Sequence, residues 1–385
     1  MAASMDELAV GGKRVLVRCD LNVPMANGKV TDATRIERLA PTVKELADAG
    51  ARVVLMSHFG RPKGKREPSM SLGPVVKPLA ESLGGRHVLF VEDCVGQAAE
   101  SAVASLKDGE IALLENLRFH EGEEANSPEF AAALARLGDV YVNDAFAAAH
   151  RAHASTEAIA RLLPSAPGRL MEAEISALTN VLEKPTRPVA AIIGGAKVST
   201  KLDLLGNLLT KVDVLAIGGA MANTFLHARG LSVGASLMER DLAETARGIL
   251  AKADSADCQI LLPEDVVVAP RLELNVPSEV IAASAVPDDR MILDIGRDAA
   301  QDLVQRLTDI RTLLWNGPLG AFEVPPFDAG TVVVARAVAE RTRSGRLMSV
   351  AGGGDTVAAL SAAGVLEDFT YVSTAGGAFL EWLEG

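Results

Sequence analysis

The chain has 385 residues, 49% of them hydrophobic and 23% charged, which suits a packed core and argues against disorder. Its length exceeds one ordinary core and predicts two domains. A formal net charge of −12 disfavours diffuse binding to nucleic acid or to an anionic membrane. Three scattered cysteines, Cys19, Cys94 and Cys258, make neither a disulfide framework nor a zinc cluster and read as reduced thiols. The first residues lack a basic stretch followed by an apolar one, and no apolar run reaches the roughly 18 residues of a spanning helix. The expectation is a cytoplasmic protein without membrane or nucleic-acid partners, and a monomer.

In chain order, short β-branched runs alternate with helical periods, the pattern of βαβ units around a parallel sheet. Strands are predicted at 14–18, 52–57, 87–92, 111–115 and 140–143, with helices over 35–49, 72–83 and 129–137. A helical period over 170–183, opened by Pro167-Gly168 and closed by a stretch containing Pro185 and Pro188, reads as a bridge between domains. The second half continues with strands at 189–193, 212–217, 259–262, 312–315, 347–350 and 370–373. Its helices are expected over 199–209, 220–228, 299–307, 331–341 and 356–362. The fold class is thus α/β, two doubly wound parallel-sheet (Rossmann-like) domains joined by a bridging helix.

Open α/β sheets bind ligands at the carboxyl ends of their strands. In the first half those ends are cationic: Asp20 and Asn22 after the first strand with Arg35 opening the next helix, His58 and Arg61 after the second, Arg118 after the fourth, Arg151 after the fifth. A guanidinium presents a planar fork of donors to carboxylate or phosphate oxygens, so several at successive strand ends of an acidic protein predict a small, highly anionic ligand. Five of the six histidines precede residue 154, but none forms the i, i+4 pair of a helical metal site.

The second half places glycines where the first places arginines. Gly194-Gly195 leads to Lys197 and Lys201, Gly218-Gly219 follows the next strand, Asn316-Gly317 leads to Glu323, and Gly352-Gly353-Gly354 precedes Asp355-Thr356; Gly376-Gly377 comes last. Glycine lets backbone approach a ligand closely, amides at a helix N-terminus bind anions, and an aspartate beside phosphates suits magnesium. The pattern predicts a nucleotide site without a Walker loop, protein-kinase motifs or a dinucleotide fingerprint. Another acyl-phosphate kinase, a silent nucleotide-binding protein and a dehydrogenase remain as alternatives from the residues alone.

The segments RCDLNVP (18–24), SHFGRPKG (57–64), ENLRFHEGEE (115–124), AHRAHAST (149–156), GGAKVSTK (194–201), LWNGPLGAFE (314–323) and GGGDT (352–356), in this order, resemble phosphoglycerate kinases. The resemblance implies a 3-phosphoglycerate or 1,3-bisphosphoglycerate domain over 1–169, a bridging helix and hinge over 170–188, a nucleotide domain over 189–365 and a tail over 366–385 that returns towards the first domain. It implies that Asp20 and Asn22 contact the glycerate while Arg35, His58, Arg61, Arg118 and Arg151 hold its anionic groups. For ADP or ATP with Mg2+ it implies Lys197, Lys201, Gly353 and Thr356 at the phosphates and Asp355 at the metal. Gly195, Gly219, Leu293, Asn316 and Glu323 would serve the rest of the nucleotide site, Glu323 at the ribose. Arg35, Lys197, Lys201, Gly354 and Gly377 would surround the transferring phosphoryl group. Ala147, Ala148, Ala220, Ile292 and Ala375 depart from residues common in the family. In the direction of acyl-phosphate synthesis the nucleophile is a carboxylate, already ionised at neutral pH, so no general base is expected.

Overall fold

The computed structural model describes residues 4–385, which divide into two compact units, one ending at Ile175 and the other running Ser176–Gly385. The first unit holds strands β1 (Arg14–Arg18), β2 (Met25–Ala26), β3 (Lys29–Val30), β4 (Arg52–Met56), β5 (Val88–Val91), β6 (Ile111–Leu114), β7 (Val140–Asn143) and β8 (Ser165–Pro167). Its helices are α1 (Thr34–Asp48), α2 (Val76–Ser82), α3 (Gly96–Ala104), α4 (Glu121–Glu124), α5 (Pro128–Ala135) and α6 (Phe146–Ala149), with α7 (Arg169–Leu182) running across the division. Six of the strands form one sheet, ordered β5-β6-β4-β1-β7-β8, and every pairing in it is parallel.

Both faces of that sheet are covered, and β1 shows how the sequence achieves it. Val15, Val17 and Cys19 point into a core shared with Ile36, Leu39 and Val43 of α1, while Leu16 points into another shared with Val103 of α3 and Leu134 of α5. Alternating residues of a strand face opposite sides, so a run with no polar position is what a doubly covered strand needs. The buried positions of α1, Ile36, Leu39, Ala40, Val43, Leu46 and Ala47, recur at three and four residues, one helical stripe. Asp144, buried at the end of β7, accepts hydrogen bonds from the amides of Leu170 and Met171 at 2.9 and 3.1 Å and so caps the start of α7.

The second unit holds β9 (Val189–Ile193), β10 (Val214–Ile217), β11 (Gln259–Leu261), β12 (Asp265–Ala269), β13 (Glu279–Ala282), β14 (Met291–Ile295), β15 (Thr312–Asn316), β16 (Met348–Gly352) and β17 (Tyr371–Ser373). Its helices are α8 (Leu202–Leu208), α9 (Gly219–Ala228), α10 (Ala243–Ser255), α11 (Arg297–Arg306), α12 (Ala329–Arg343), α13 (Gly354–Ala362) and α14 (Gly377–Glu384). A second all-parallel sheet runs β11-β10-β9-β15-β16-β17, so chain order reverses between β9 and β15. That is the switch point at which such sheets open a crevice. In the first unit the corresponding reversal lies between β1 and β7.

Each strand predicted from the sequence is present, with ends shifted by a residue or two. An antiparallel sheet, β13-β12-β14, was not predicted, nor were the edge strand β8 and the helices α3 and α10. The helix expected over 72–83 begins at Val76, preceded by one 3-10 turn at Gly73–Val75, and the one expected over 199–209 is confined to α8. The segment 366–385 lies in the second unit, where α14 packs against α8 and Asn207 Nδ2 donates to the Leu383 carbonyl at 2.6 Å. None of the five substituted positions Ala147, Ala148, Ala220, Ile292 and Ala375 has a positive φ, so a side chain is accommodated at each without backbone strain.

Candidate active site

In the first unit the parallel register sets Arg18 beside Met56 and Asn143, bringing the carboxyl ends of β1, β4 and β7 together. Asp20, Asn22 and Arg35 meet there. The Arg35 guanidinium donates to the Asn22 carbonyl at 2.8 Å and pairs with Asp20 at 3.0 Å, while Asn22 Oδ1 accepts from the Gly60 amide at 3.0 Å. The loops after β1 and β4 are thereby tied to each other and to α1. Asn116 fixes the loop after β6: its Oδ1 accepts from the amides of Phe59 and Arg118, and its Nδ2 donates to the carbonyls of Phe59 and Met70.

Around this frame cations gather. His58 is buried, and its Nδ1 lies 2.9 Å from Arg18 Nη2. Guanidinium nitrogens only donate, so Nδ1 accepts and the ring proton sits on Nε2. Burial, then Arg18, Arg118 and Arg151, holds the His58 pKa far below the usual imidazole range, and the ring is neutral. Arg118 is buried, donates to the Gly60 carbonyl at 2.7 Å and lies 3.1 Å from Glu124; burial lowers its pKa, and Arg151 and Arg18 push the same way. Arg151 Nε donates to His150 Nε2 at 3.3 Å, which puts the His150 proton on Nδ1, a buried donor with no protein partner. Arg61 is exposed on the loop after β4. Cys19 is buried, and burial pushes its thiol far up, so it stays protonated.

The sequence reading missed Arg18 as a site residue. It is 1% exposed and donates to Ser155 Oγ at 2.9 Å and to the Cys19 carbonyl at 2.5 Å. Ser155 in turn donates through Oγ to the fully buried Glu123 at 2.6 Å. One carboxylate therefore stands behind Arg18 while His58 stands in front of it. The available signal was strand parity: Arg18 shares the face of Leu16, and that face is buried.

In the second unit the register pairs Asn316 with Ile193, so the glycine turns after β9 and β15 abut at the switch point. A Cβ on Gly194 would lie 1.8 Å from the Pro318 carbonyl oxygen, and one on Gly219, whose φ is +64°, would lie 2.6 Å from the Gly195 carbonyl oxygen. Lys201 reaches back into this turn, donating to the Gly194 carbonyl and to Asn316 Oδ1, each at 2.6 Å. Burial lowers its pKa to about 8, against the charge of Asp355, which raises it. Asn316 Nδ2 donates to the Gly352 carbonyl at 2.8 Å, and Thr356 Oγ1 both donates to that carbonyl at 2.8 Å and accepts from the Gly317 amide at 2.7 Å. Both side chains are thus engaged in building the cradle, leaving the main chain of Thr356 to face a ligand.

Asp355 is exposed in the first turn of α13, behind Gly353 and Gly354. Next to it opens a cavity of about 270 Å3 lined by Gly195, Gly219, Ala220, Leu293, Asp294, Glu323 and Asp355 among others. The unpredicted sheet supplies one wall through β14, which explains how Leu293 arrives there. Asp294 is buried in that wall, accepts from the Gly330 and Ile295 amides at 2.7 and 2.9 Å, and burial raises its pKa to about 7. Lys197 is exposed on the turn between β9 and α8, and Gly376-Gly377 opens α14. Among the described residues no helix is long and apolar enough to cross a membrane.

Comparison with known proteins covers the same stretch of chain. The phosphoglycerate kinase family model matches residues 5–385. The chain is 64% identical over 374 residues to a phosphoglycerate kinase of Methylorubrum extorquens (strain PA1), covering 97% of this chain and 93% of the relative. It is 60% identical to one of Brucella suis biovar 1 over 385 residues, covering 100% and 97%. Among solved structures, a phosphoglycerate kinase from Coxiella burnetii superposes with a TM-score of 0.93 at 42% identity, covering 100% of this chain and 96% of that one. One from Pyrococcus horikoshii OT3 gives 0.83 at 32%, covering 99% and 96%. The chain therefore belongs to the phosphoglycerate kinase family and is a kinase acting on small-molecule substrates.

Proposed function

We propose that the reversible transfer of the acyl phosphate of 1,3-bisphosphoglycerate to ADP is divided between the two units, the first holding the phosphoglycerate and the second the nucleotide. The observation that carries the assignment is the cationic excess on one neutral ring: Arg18, Arg118 and Arg151 all bear on His58. A multiply charged anion would relieve that field beyond what Glu123 and Glu124 supply. Asp20 and Asn22 then face the glycerate, and Arg35, His58, Arg61, Arg118 and Arg151 its anionic groups, His58 donating through Nε2.

In the second unit Lys197, Lys201 and the amides of Gly353, Gly354 and Thr356 face the nucleotide phosphates, with Asn316 holding Lys201 in place. Gly195, Gly219 and Leu293 line the base, and Glu323 the ribose. The residues present suit magnesium: Asp355 offers one exposed hard oxygen ligand, and Mg2+ takes one or two carboxylates together with substrate phosphates. When bound, that ion neutralises charge on the phosphate oxygens. The protein's own contribution is positioning and charge: Arg35 and the amide of Gly377 meet the phosphoryl group in transit, and no proton need move because the acceptor carboxylate is ionised.

Reacting atoms held by different units must approach to about 3–3.5 Å, so turnover requires closure, with 170–188 as hinge between 1–169 and 189–365. The three free, buried cysteines support a reducing, cytoplasmic setting, and we assign a monomer. The test is ATP formation from 1,3-bisphosphoglycerate by purified protein with Arg35→Ala as comparison. A rate loss of roughly 10³-fold, as for arginine fingers, with unchanged ADP affinity is expected. A variant keeping most of its turnover would make Arg35 merely structural.

A further inference from the structure

We propose that the first unit binds one zinc ion at Asp93, Cys94 and His120. A carboxylate oxygen, the Cys94 sulfur and a ring nitrogen lie within 4.8 Å of one another, the one such group of three among the described residues. The topology makes this meeting, since no spacing in the sequence announces it. β5 and β6 pair in parallel with Val91 opposite Leu114, so Asp93-Cys94, just past the end of β5, lies beside the loop after β6 that ends in His120.

The ligand atoms are held in advance. His120 Nε2 lies 2.7 Å from Asp93 Oδ1, and the ring stacks on Phe130 with centroids 5.2 Å apart. Asp93 Oδ1 also accepts from the Cys94 amide at 2.7 Å, which fixes the carboxylate against its neighbour. Cys94 is fully buried, and Asp93, Glu123 and Glu115 each bring negative charge near its sulfur. A cation relieves that field. The unit thus has two sites of opposite polarity, a cationic pocket and this anionic corner.

The donor set selects the ion. Imidazole nitrogen with thiolate sulfur suits zinc and disfavours magnesium, and three protein ligands leave a fourth tetrahedral position for water. With bonds of about 2.0–2.3 Å, tetrahedral ligand atoms stand about 3.3–3.8 Å apart, so the group closes by shifts of about an ångström. On binding, Cys94 releases its thiol proton to solvent. The His120 proton moves from Nε2 to Nδ1, freeing the Nε2 lone pair, and no electrons are transferred. The ion would tie the end of β5 to the turn that carries Arg118, two residues before His120.

The experiment titrates chelator-treated, full-length protein with Co2+, which reports thiolate ligation by a near-ultraviolet charge-transfer band, and then displaces it with Zn2+. Expected are one equivalent of Co2+, a band removed by Zn2+, and loss of the band in Cys94→Ser. His120→Gln, at a ring 32% exposed, should weaken Zn2+ binding by more than the 10–100-fold typical of outer-shell partners. It decides the matter if Cys94→Ser does not fold. Absence of the band at one equivalent, its persistence in Cys94→Ser, or wild-type Zn2+ affinity in folded His120→Gln would each overturn the site.

Discussion

Lys201 provides a test that follows from its burial. A lysine ordinarily titrates near 10.5, and here burial brings it to about 8. The difference means that the ammonium is disfavoured by about 3 kcal/mol relative to water, although two acceptors at 2.6 Å receive its protons. On the proposed placement, nucleotide phosphates would supply the missing counter-charge and return the pKa towards its ordinary value. Binding therefore takes up a proton wherever the free protein has lost one. With a free-state value of about 8, roughly a tenth of the protein carries the charge at pH 9, so ADP affinity should fall about tenfold between pH 7 and pH 9. The phosphates of ADP are fully ionised across this window, with their last pKa near 6. Lys201→Met should bind ADP more weakly at pH 7 by about 1.5–3 kcal/mol, the worth of a hydrogen bond to a charged group, with no pH dependence above 7.5. Isothermal titration calorimetry at constant ionic strength reads both curves. A flat wild-type profile to pH 9, or a wild-type slope in Lys201→Met, would refute the reasoning.

Three further outcomes are expected. Gly194→Ala drives a methyl to 1.8 Å from the Pro318 carbonyl oxygen, so the β9 and β15 turns must part; a stability loss of about 1–3 kcal/mol with weakened ADP binding follows, and calorimetry showing neither would contradict the close approach. Arg18→Met leaves the Cys19 carbonyl and His58 Nδ1 buried without their donor, and the loss should be about 1–3 kcal/mol in urea denaturation; Arg18→Lys should not restore it, because one ammonium cannot span Ser155, Cys19 and His58 as a fork does. Asp294 has its folded pKa raised to about 7 from the ordinary 3.8, so the folded protein binds that proton more tightly than the unfolded chain. Its stabilising contribution is present below about pH 4 and lost as pH rises through about 7, so wild type should lose stability relative to Asp294→Asn from pH 5 to pH 8; a relative gain over that range would reverse the sign.

Much of the fold was legible because both parallel sheets are covered on two faces. Doubly covered strands read as unbroken apolar runs, which is why β1, β9 and β15 stand out in the sequence. The antiparallel sheet β13-β12-β14 did not, since it has a solvated side: Val280 is 55% exposed and Glu279 and Ala282 are exposed. Its strands are separated by turn-rich loops. α10 was hidden by composition, as its buried face is Ala246, Ile249 and Ala253, a helical spacing written mostly in alanine. β8 ends in Pro167, which an edge strand tolerates and a central one does not. Candidate site residues were legible where chemistry and strand end coincide, as at Lys201 and Arg118, and illegible where only packing decides, as at Arg18 and Asp294.

On the proposed division of substrates, the two units would handle anions with different chemistry, and their pH responses would separate. In the first, Arg18, Arg118 and Arg151 carry permanent charges, and His58 is locked neutral by their field and by burial. Protonating His58 would place a donor on Nδ1 against a guanidinium that can only donate. The ring therefore offers the same Nε2 donor throughout the range in which the protein stays folded. The second unit relies on Lys201, which loses its charge near pH 8. Above neutrality, a fall in activity that saturating nucleotide abolishes reports Lys201, whereas phosphoglycerate binding should stay level. A phosphoglycerate affinity that declined in step with that of ADP would mean that a titrating group, and not fixed guanidinium charge, holds the anion in the first unit.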